Sequence, residues 1–111
     1  MVGIMLTEVT EQSFDDEVLN SGLPVFICFT TSWCHSCYPT CLFADKLAKE
    51  YDGRVKFVNI DIEESPGIAK KYNVIAVPTI LLFQEGQVVK KLLGFQERRS
   101  LRSWLDGGIA D

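Results

Sequence analysis

Between Thr30 and Cys41 the chain reads TTSWCHSCYPTC. Three of its four cysteines fall in that run, with Trp33 before the first and His35-Ser36 between the first two. Cysteines this close together serve a metal clamp, a redox switch or a structural staple. Cys34 and Cys37 form a C-x-x-C, whose sulfurs meet across one turn. A disulfide there opens and closes with little backbone motion. If a helix starts at this point, Cys34 lies at its N-terminus, where unpaired amides and the helix dipole favour the thiolate. Cys37, inside the first turn, is then the more sheltered sulfur. An exposed attacker and a sheltered resolver are what exchange through a mixed disulfide requires.

The flanking pattern supplies that helix start. Pro24–Thr30 (PVFICFT) is apolar on both faces and β-rich, which predicts a central strand covered on both sides. Leu42–Tyr51 follows as helix, with Leu47, Ala48 and Tyr51 on one face and Asp52-Gly53 ending it. Earlier, Thr10 is the expected N-cap of a helix over Glu11–Leu19, with Phe14, Val18 and Leu19 at helical spacing. Later come a strand over Val55–Asp61 and a short helix over Pro66–Tyr72, capped by Ser65 with proline at its first position. Two strands, Thr79–Phe83 and Val88–Leu93, flank the turn Gln84-Glu85-Gly86-Gln87. After Gly94 a last amphipathic helix over Glu97–Leu105 uses Leu101, Trp104 and Leu105, and Gly107–Asp111 is expected to fray. The order β-α-β-α-β-α-β-β-α predicts an α/β domain: parallel pairing, a late antiparallel edge, and helices on both faces of one mixed sheet.

The totals agree with a single domain over residues 1–111. A chain of this size buries about two-thirds of its unfolded surface, so a core forms without disulfide staples. Net charge −4 and pI 4.9 leave no cationic footprint for nucleic acid. Arg98, Arg99 and Arg102 read as a solvated helix face. MVGIMLTEVT lacks the parts of a secretion signal, and no stretch approaches a membrane span. The expectation is a cytoplasmic protein that does not engage a membrane.

At Trp33-Cys34-His35-Ser36-Cys37 after an apolar strand, with Val77-Pro78-Thr79 before another, the chain resembles the thioredoxin family. Asn59-Ile60-Asp61, Glu85-Gly86 and Gly94 extend the resemblance over almost the whole length. It implies the thioredoxin fold: one five-stranded sheet ordered 1-3-2-4-5 along the chain, the last two strands antiparallel to the rest, flanked by four helices. It implies a cis Val77–Pro78 bond beside the cysteines. It implies a redox-active Cys34–Cys37 disulfide, with His35 and Ser36 modulating it, and a landing surface of Trp33, Ile75, Val77, Pro78, Gly94 and Phe95. The backbone of Val77 would pair with the substrate as an added strand. The activity implied is protein-disulfide reduction by a monomer that needs no cofactor. Its partners would be disulfide-containing proteins and a thioredoxin-reductase-type electron donor.

Several positions depart from the family. His35-Ser36 replaces Gly-Pro; a histidine there donates a hydrogen bond or charge to a thiolate, which makes the disulfide more oxidising. Cys28 and Phe57 stand where a buried aspartate and its lysine are usual, and Thr30 replaces an aromatic. A buried thiol is a poor general base at neutral pH. Pro39 lies near the start of the helix, whereas the family's kinking proline falls at Leu42. It either shifts the kink or marks the start of regular helix. Cys41 is one turn beyond Cys37, where a Cys37–Cys41 bond is strained; Cys28 and Cys41 face one another, as small buried hydrophobes or as a redox reserve.

Two other readings compete. A metal or iron–sulfur module would use Cys34, Cys37 and Cys41, with His35 or Cys28 as fourth ligand, but the second ligand pair of a structural zinc site is missing. A non-catalytic interaction module on the same scaffold would not need both cysteines.

Overall fold

The computed structural model describes residues 6–94 and 96–109. Residues 1–5, Phe95, Ala110 and Asp111 lie outside them, and with them one of the residues expected in the landing surface and the end of the tail. Five strands, β1 (Thr7–Glu8), β2 (Val25–Thr30), β3 (Lys56–Asp61), β4 (Thr79–Gln84) and β5 (Gln87–Leu93), form one sheet in the order β1-β3-β2-β4-β5. Four helices complete it: α1 (Asp15–Leu19), α2 (Cys37–Glu50), α3 (Pro66–Lys71) and α4 (Arg98–Ile109). β1, β3 and β2 run parallel, and β4 runs against β2. β5 is antiparallel to β4 alone. It therefore runs the same way as β1, β3 and β2, against the expectation that both late strands oppose the rest: a hairpin reverses direction a second time.

β2 is buried along its whole length and divides the core by alternation. Ile27 and Phe29 face one cluster with Phe14, Val18, Ile68 and Phe83, under α1 and α3. Phe26 and Cys28 face the other with Cys41, Leu47, Leu101 and Leu105, under α2 and α4. Each large side chain fully buried here contributes about 1.5–3 kcal/mol. Phe57 stacks on Phe26 at 4.7 Å, and Trp104 meets the same ring edge-on at 6.1 Å. The face under the cysteines is thus apolar where the family places a charged pair.

Helix boundaries moved for local reasons. Thr10 does not cap α1. Its N–H donates to Ser13 Oγ at 3.0 Å in a preceding turn, and the helix begins at Asp15. The last turn of α1 is wide, with Asn20 N–H donating to Asp15 O at 2.9 Å. Ser65 sits at the N-cap of α3, but its hydroxyl makes no capping bond among the described residues. The turn tightens to Glu85-Gly86, both at positive φ (53° and 80°), the two-residue hairpin geometry whose twist matches the flanking strands.

α2 begins at Cys37, five residues before the expected Leu42. Pro39 is its third residue, and the first N–H groups of a helix have no intrahelical acceptor, so proline forfeits no bond there. Of the two readings of Pro39, the start of regular helix is the one realised. α4 runs to Ile109 rather than fraying from Gly107. Gln84 Nε2 donates to Gly108 O at 3.1 Å, and Lys90 Nζ to Trp104 O at 2.9 Å. A Cβ on Gly108 would lie 2.5 Å from Leu82 Cδ2, so glycine is what lets this turn close on β4. Arg98 and Arg102 are not simply solvated: both grip Glu50 of α2, at 2.7 and 2.5 Å, and hold its carboxyl below the usual range, Arg98 foremost.

Candidate active site

The sheet delivers its two chemical elements to one end. β2 ends at Thr30 and β4 starts at Thr79, with Phe29 and Thr79 paired. One step further, the loop carrying Trp33 and Cys34 and the turn carrying Val77 and Pro78 leave the sheet together. The Val77–Pro78 bond is cis, as the resemblance implied. Gly94, at φ +83° where β5 ends, donates its N–H to Pro78 O at 2.8 Å and locks the strand end to the proline.

Cys34 and Cys37 are joined by a disulfide, with Cα atoms 5.3 Å apart. Cys34 is half-buried and Cys37 is 3% exposed. The Cys37 N–H at the tip of α2 donates to Cys34 Sγ at 3.1 Å, and Ser36 Oγ lies 3.7 Å from that sulfur. Both contacts favour negative charge on Cys34. His35 is exposed beside them.

The residues expected to form a landing surface separate by exposure. Trp33 is 64% exposed and Ile75 88%; Val77 and Gly94 are half-buried, and Pro78 is buried. Trp33 is not loose: its indole N–H donates to Glu63 Oε2 at 3.0 Å, and Glu63 is set by its own N–H donating to Asp61 Oδ1 at 2.8 Å. Sequence reasoning missed Glu63, thirty positions from Trp33, and no local pattern marks it. It also missed Thr40, whose buried hydroxyl donates to Ser36 O at 3.0 Å and accepts from Gln96 N–H at 3.3 Å, tying the tip of α2 to the segment after β5. Asn59 was readable in part: it shares the core-facing parity of Phe57 on β3, unusual for an amide.

Beneath the disulfide lie two more sulfurs. Cys28 Sγ and Cys41 Sγ are 3.1 Å apart, and both are buried. The contact with Cys41 and then burial push the Cys28 thiol well up, while the same contact pulls Cys41 down. Cys41 Sγ lies 3.9 Å from Asn59 Oδ1, which also accepts from Thr30 Oγ1 at 3.1 Å. A pocket of about 330 Å³ runs alongside, lined by Thr30, Cys34, Cys37, Tyr38, Cys41 and Asn59 among others. The sulfurs are thus arranged as two pairs, not as one three-sulfur clamp. Among the described residues no group of three or more His, Cys, Asp and Glu is placed to hold a metal ion, and no helix is long and apolar enough to cross a membrane.

A disulfide reached from solvent at one sulfur and backed by the core at the other is the working part of a thiol–disulfide oxidoreductase, and that is the class of this protein. Its family follows from comparison with known proteins. Residues 5–107 match the thioredoxin family. The thioredoxin of Rickettsia felis is 37% identical over 105 residues, spanning 95% of this chain and all of the relative. That of Pyropia yezoensis is 34% identical over 95% of this chain and 98% of its own length. Thioredoxin 1 of a Nostoc species is 32% identical over 89% and 92%. The chain belongs to the thioredoxin family, whose members act on disulfide substrates.

Proposed function

We propose that the protein is a thioredoxin-type protein-disulfide reductase and electron carrier in which Cys34 attacks and Cys37 resolves. The observation that carries this reading is the asymmetry of the two sulfurs: Cys34 is half-buried at a helix tip and receives the Cys37 N–H, whereas Cys37 is buried. In the reduced protein the Cys34 thiolate attacks a partner disulfide. A mixed disulfide forms, and one partner sulfur leaves as thiolate. Cys37 then attacks Cys34 Sγ, the second partner sulfur leaves, and the Cys34–Cys37 bond closes. Two electrons pass to the partner, and a thioredoxin-reductase-type donor returns two.

The partner lies against Trp33, Ile75, Val77, Pro78 and Gly94, with its backbone along Val77; Phe95 belongs to the same surface by sequence. His35 and Ser36 tune the sulfur between them. Cys37 must lose a proton before it resolves. Cys28, with its thiol pushed well up, does not accept that proton; the pocket that Cys37 lines is the route to water. The protein acts as a monomeric single domain over residues 1–111, without a resident cofactor, in a cytoplasm that keeps thiols reduced.

Insulin reduction with dithiothreitol as donor tests the assignment. Cys34→Ser should abolish turnover, and Cys37→Ser should accumulate a mixed disulfide stable to gel analysis without reductant. Turnover retained by Cys34→Ser would overturn it.

A further inference from the structure

We propose that Cys28 and Cys41 are a second dithiol–disulfide couple, which exchanges with the active-site disulfide through Cys37. The inference rests on Cys34–Cys37 being the working couple and goes beyond it. The geometry carries it. The Cys28 and Cys41 sulfurs stand 3.1 Å apart, and a disulfide needs about 2.05 Å, so a shift of about 1 Å closes the bond. The two residues come from different elements, β2 and α2, so no helical geometry holds them apart. Cys41 also lines the same pocket as Cys34 and Cys37, which gives the buried pair a neighbour to exchange with.

The steps balance without an outside oxidant. Cys41, as thiolate, attacks Cys37 Sγ; the Cys37–Cys41 bond forms, the Cys34–Cys37 bond breaks, and Cys34 leaves as thiolate. Cys28, once deprotonated, attacks Cys41 Sγ; the Cys28–Cys41 bond forms and Cys37 leaves as thiolate. One disulfide is lost and one gained. The two protons of Cys28 and Cys41 end on Cys34 and Cys37. Cys41 acts first because the contact with Cys28 pulls its thiol down, and the same contact pushes Cys28 up.

The intermediate bond joins residues one helical turn apart, where Cβ atoms lie about 5–6 Å apart against the 3.5–4.5 Å a disulfide prefers. The first turn of α2 must loosen to admit it. Pro39 lies inside that turn, whose N–H groups have no intrahelical acceptor to hold it. The strain makes the Cys37–Cys41 bond short-lived and favours its transfer to Cys28. The outcome is a reduced Cys34/Cys37 pair, ready for another substrate disulfide. A fully reduced chain would carry two electron pairs, one per sulfur pair.

The test is a thiol count. Fully reduced protein is equilibrated in glutathione buffers of rising disulfide content, quenched in acid, unfolded and alkylated, and the links are mapped by peptide mass. From four cysteines, the count should fall to two, with Cys28–Cys41 links already present among the two-thiol molecules, and then to none. In Cys37→Ala, Cys28 and Cys41 should remain alkylatable over the time in which the parent loses them. A count that stays at two in buffers that fully close Cys34–Cys37 overturns the proposal, as does a Cys28–Cys41 link that forms equally fast in Cys37→Ala. A count that never leaves four would instead overturn the reading of Cys34–Cys37.

Discussion

The two sulfur pairs lie side by side and were made in different ways. Cys34 and Cys37 come from one turn of chain and sit at the surface end of α2. Cys28 and Cys41 are thirteen positions apart, on a strand and a helix, and meet only because α2 packs on that face of the sheet. The first pair has a backbone N–H and a hydroxyl within reach of its outer sulfur. The second has its own partner sulfur, an amide oxygen and an apolar surround. The same thiol chemistry therefore meets opposite settings: polar stabilisation of charge outside, desolvation inside. The contrast shows that the surroundings of a thiol, and not the thiol itself, set what it can do.

The largest effect that sharpens this contrast is on the outer pair. Cys34→Ser should lower disulfide-reductase turnover by about a thousandfold or more, because the other three cysteines are buried. Measured kcat/KM within tenfold of the parent would erase the distinction between the pairs.

Next is the inner pair. Cys28→Asp restores the family's acid without its lysine, against Phe57 and Phe26. The carboxyl is desolvated, so its pKa rises in the folded state above the unfolded ~3.9. A group with a raised folded pKa is tolerated below the unfolded value and destabilises as pH climbs through the folded one. The variant should lose about 2–4 kcal/mol against the parent at pH 7 and much less at pH 4. Urea unfolding at the two pH values reads this directly; an equal deficit at both would show that the inner site is not the dry place described.

Thr40→Val probes the joint that holds the outer pair on its helix. It removes the hydroxyl that joins Ser36 O to Gln96 N–H and should cost about 1–2 kcal/mol. Amide exchange at Gln96 should quicken more than exchange in β2; uniform quickening would mean that Thr40 only packs.

The smallest effect is at His35. His35→Gly should lower the Cys34–Cys37 reduction potential by at most ~30 mV, equivalent to about tenfold in the exchange constant. Titration against glutathione decides it, and an unchanged or raised potential removes His35 from the tuning of the outer pair.

Legibility followed the range of the contacts. β2, β3, the hairpin and the buried face of α4 were readable because their apolar spacing encodes them locally. The C-x-x-C was readable for the same reason. The sheet order and the cis Val77–Pro78 bond came through family resemblance and not through spacing. The helical periodicity of α2 shows only from Leu42 because Cys37 to Thr40 are weak helix formers, and a first turn asks little of them. The end of α4 was misread because two glycines look like a breaker, whereas Gly108 is where the helix presses on Leu82. Glu63 under Trp33, and Glu50 between Arg98 and Arg102, were invisible because each joins residues far apart in the chain.

By itself, the amino-acid order determined that two cysteines would share a turn after a buried strand, since three residues of backbone fix that separation whatever else the chain does. It also determined which faces of the strands and helices are apolar. Only the tertiary structure decided how closely Cys28 would approach Cys41, that Trp33 would be pinned by Glu63, and that Thr40 would tie the tip of α2 to Gln96. Those contacts depend on strand register and on how a helix lies across a sheet, and packing of the whole core selects both.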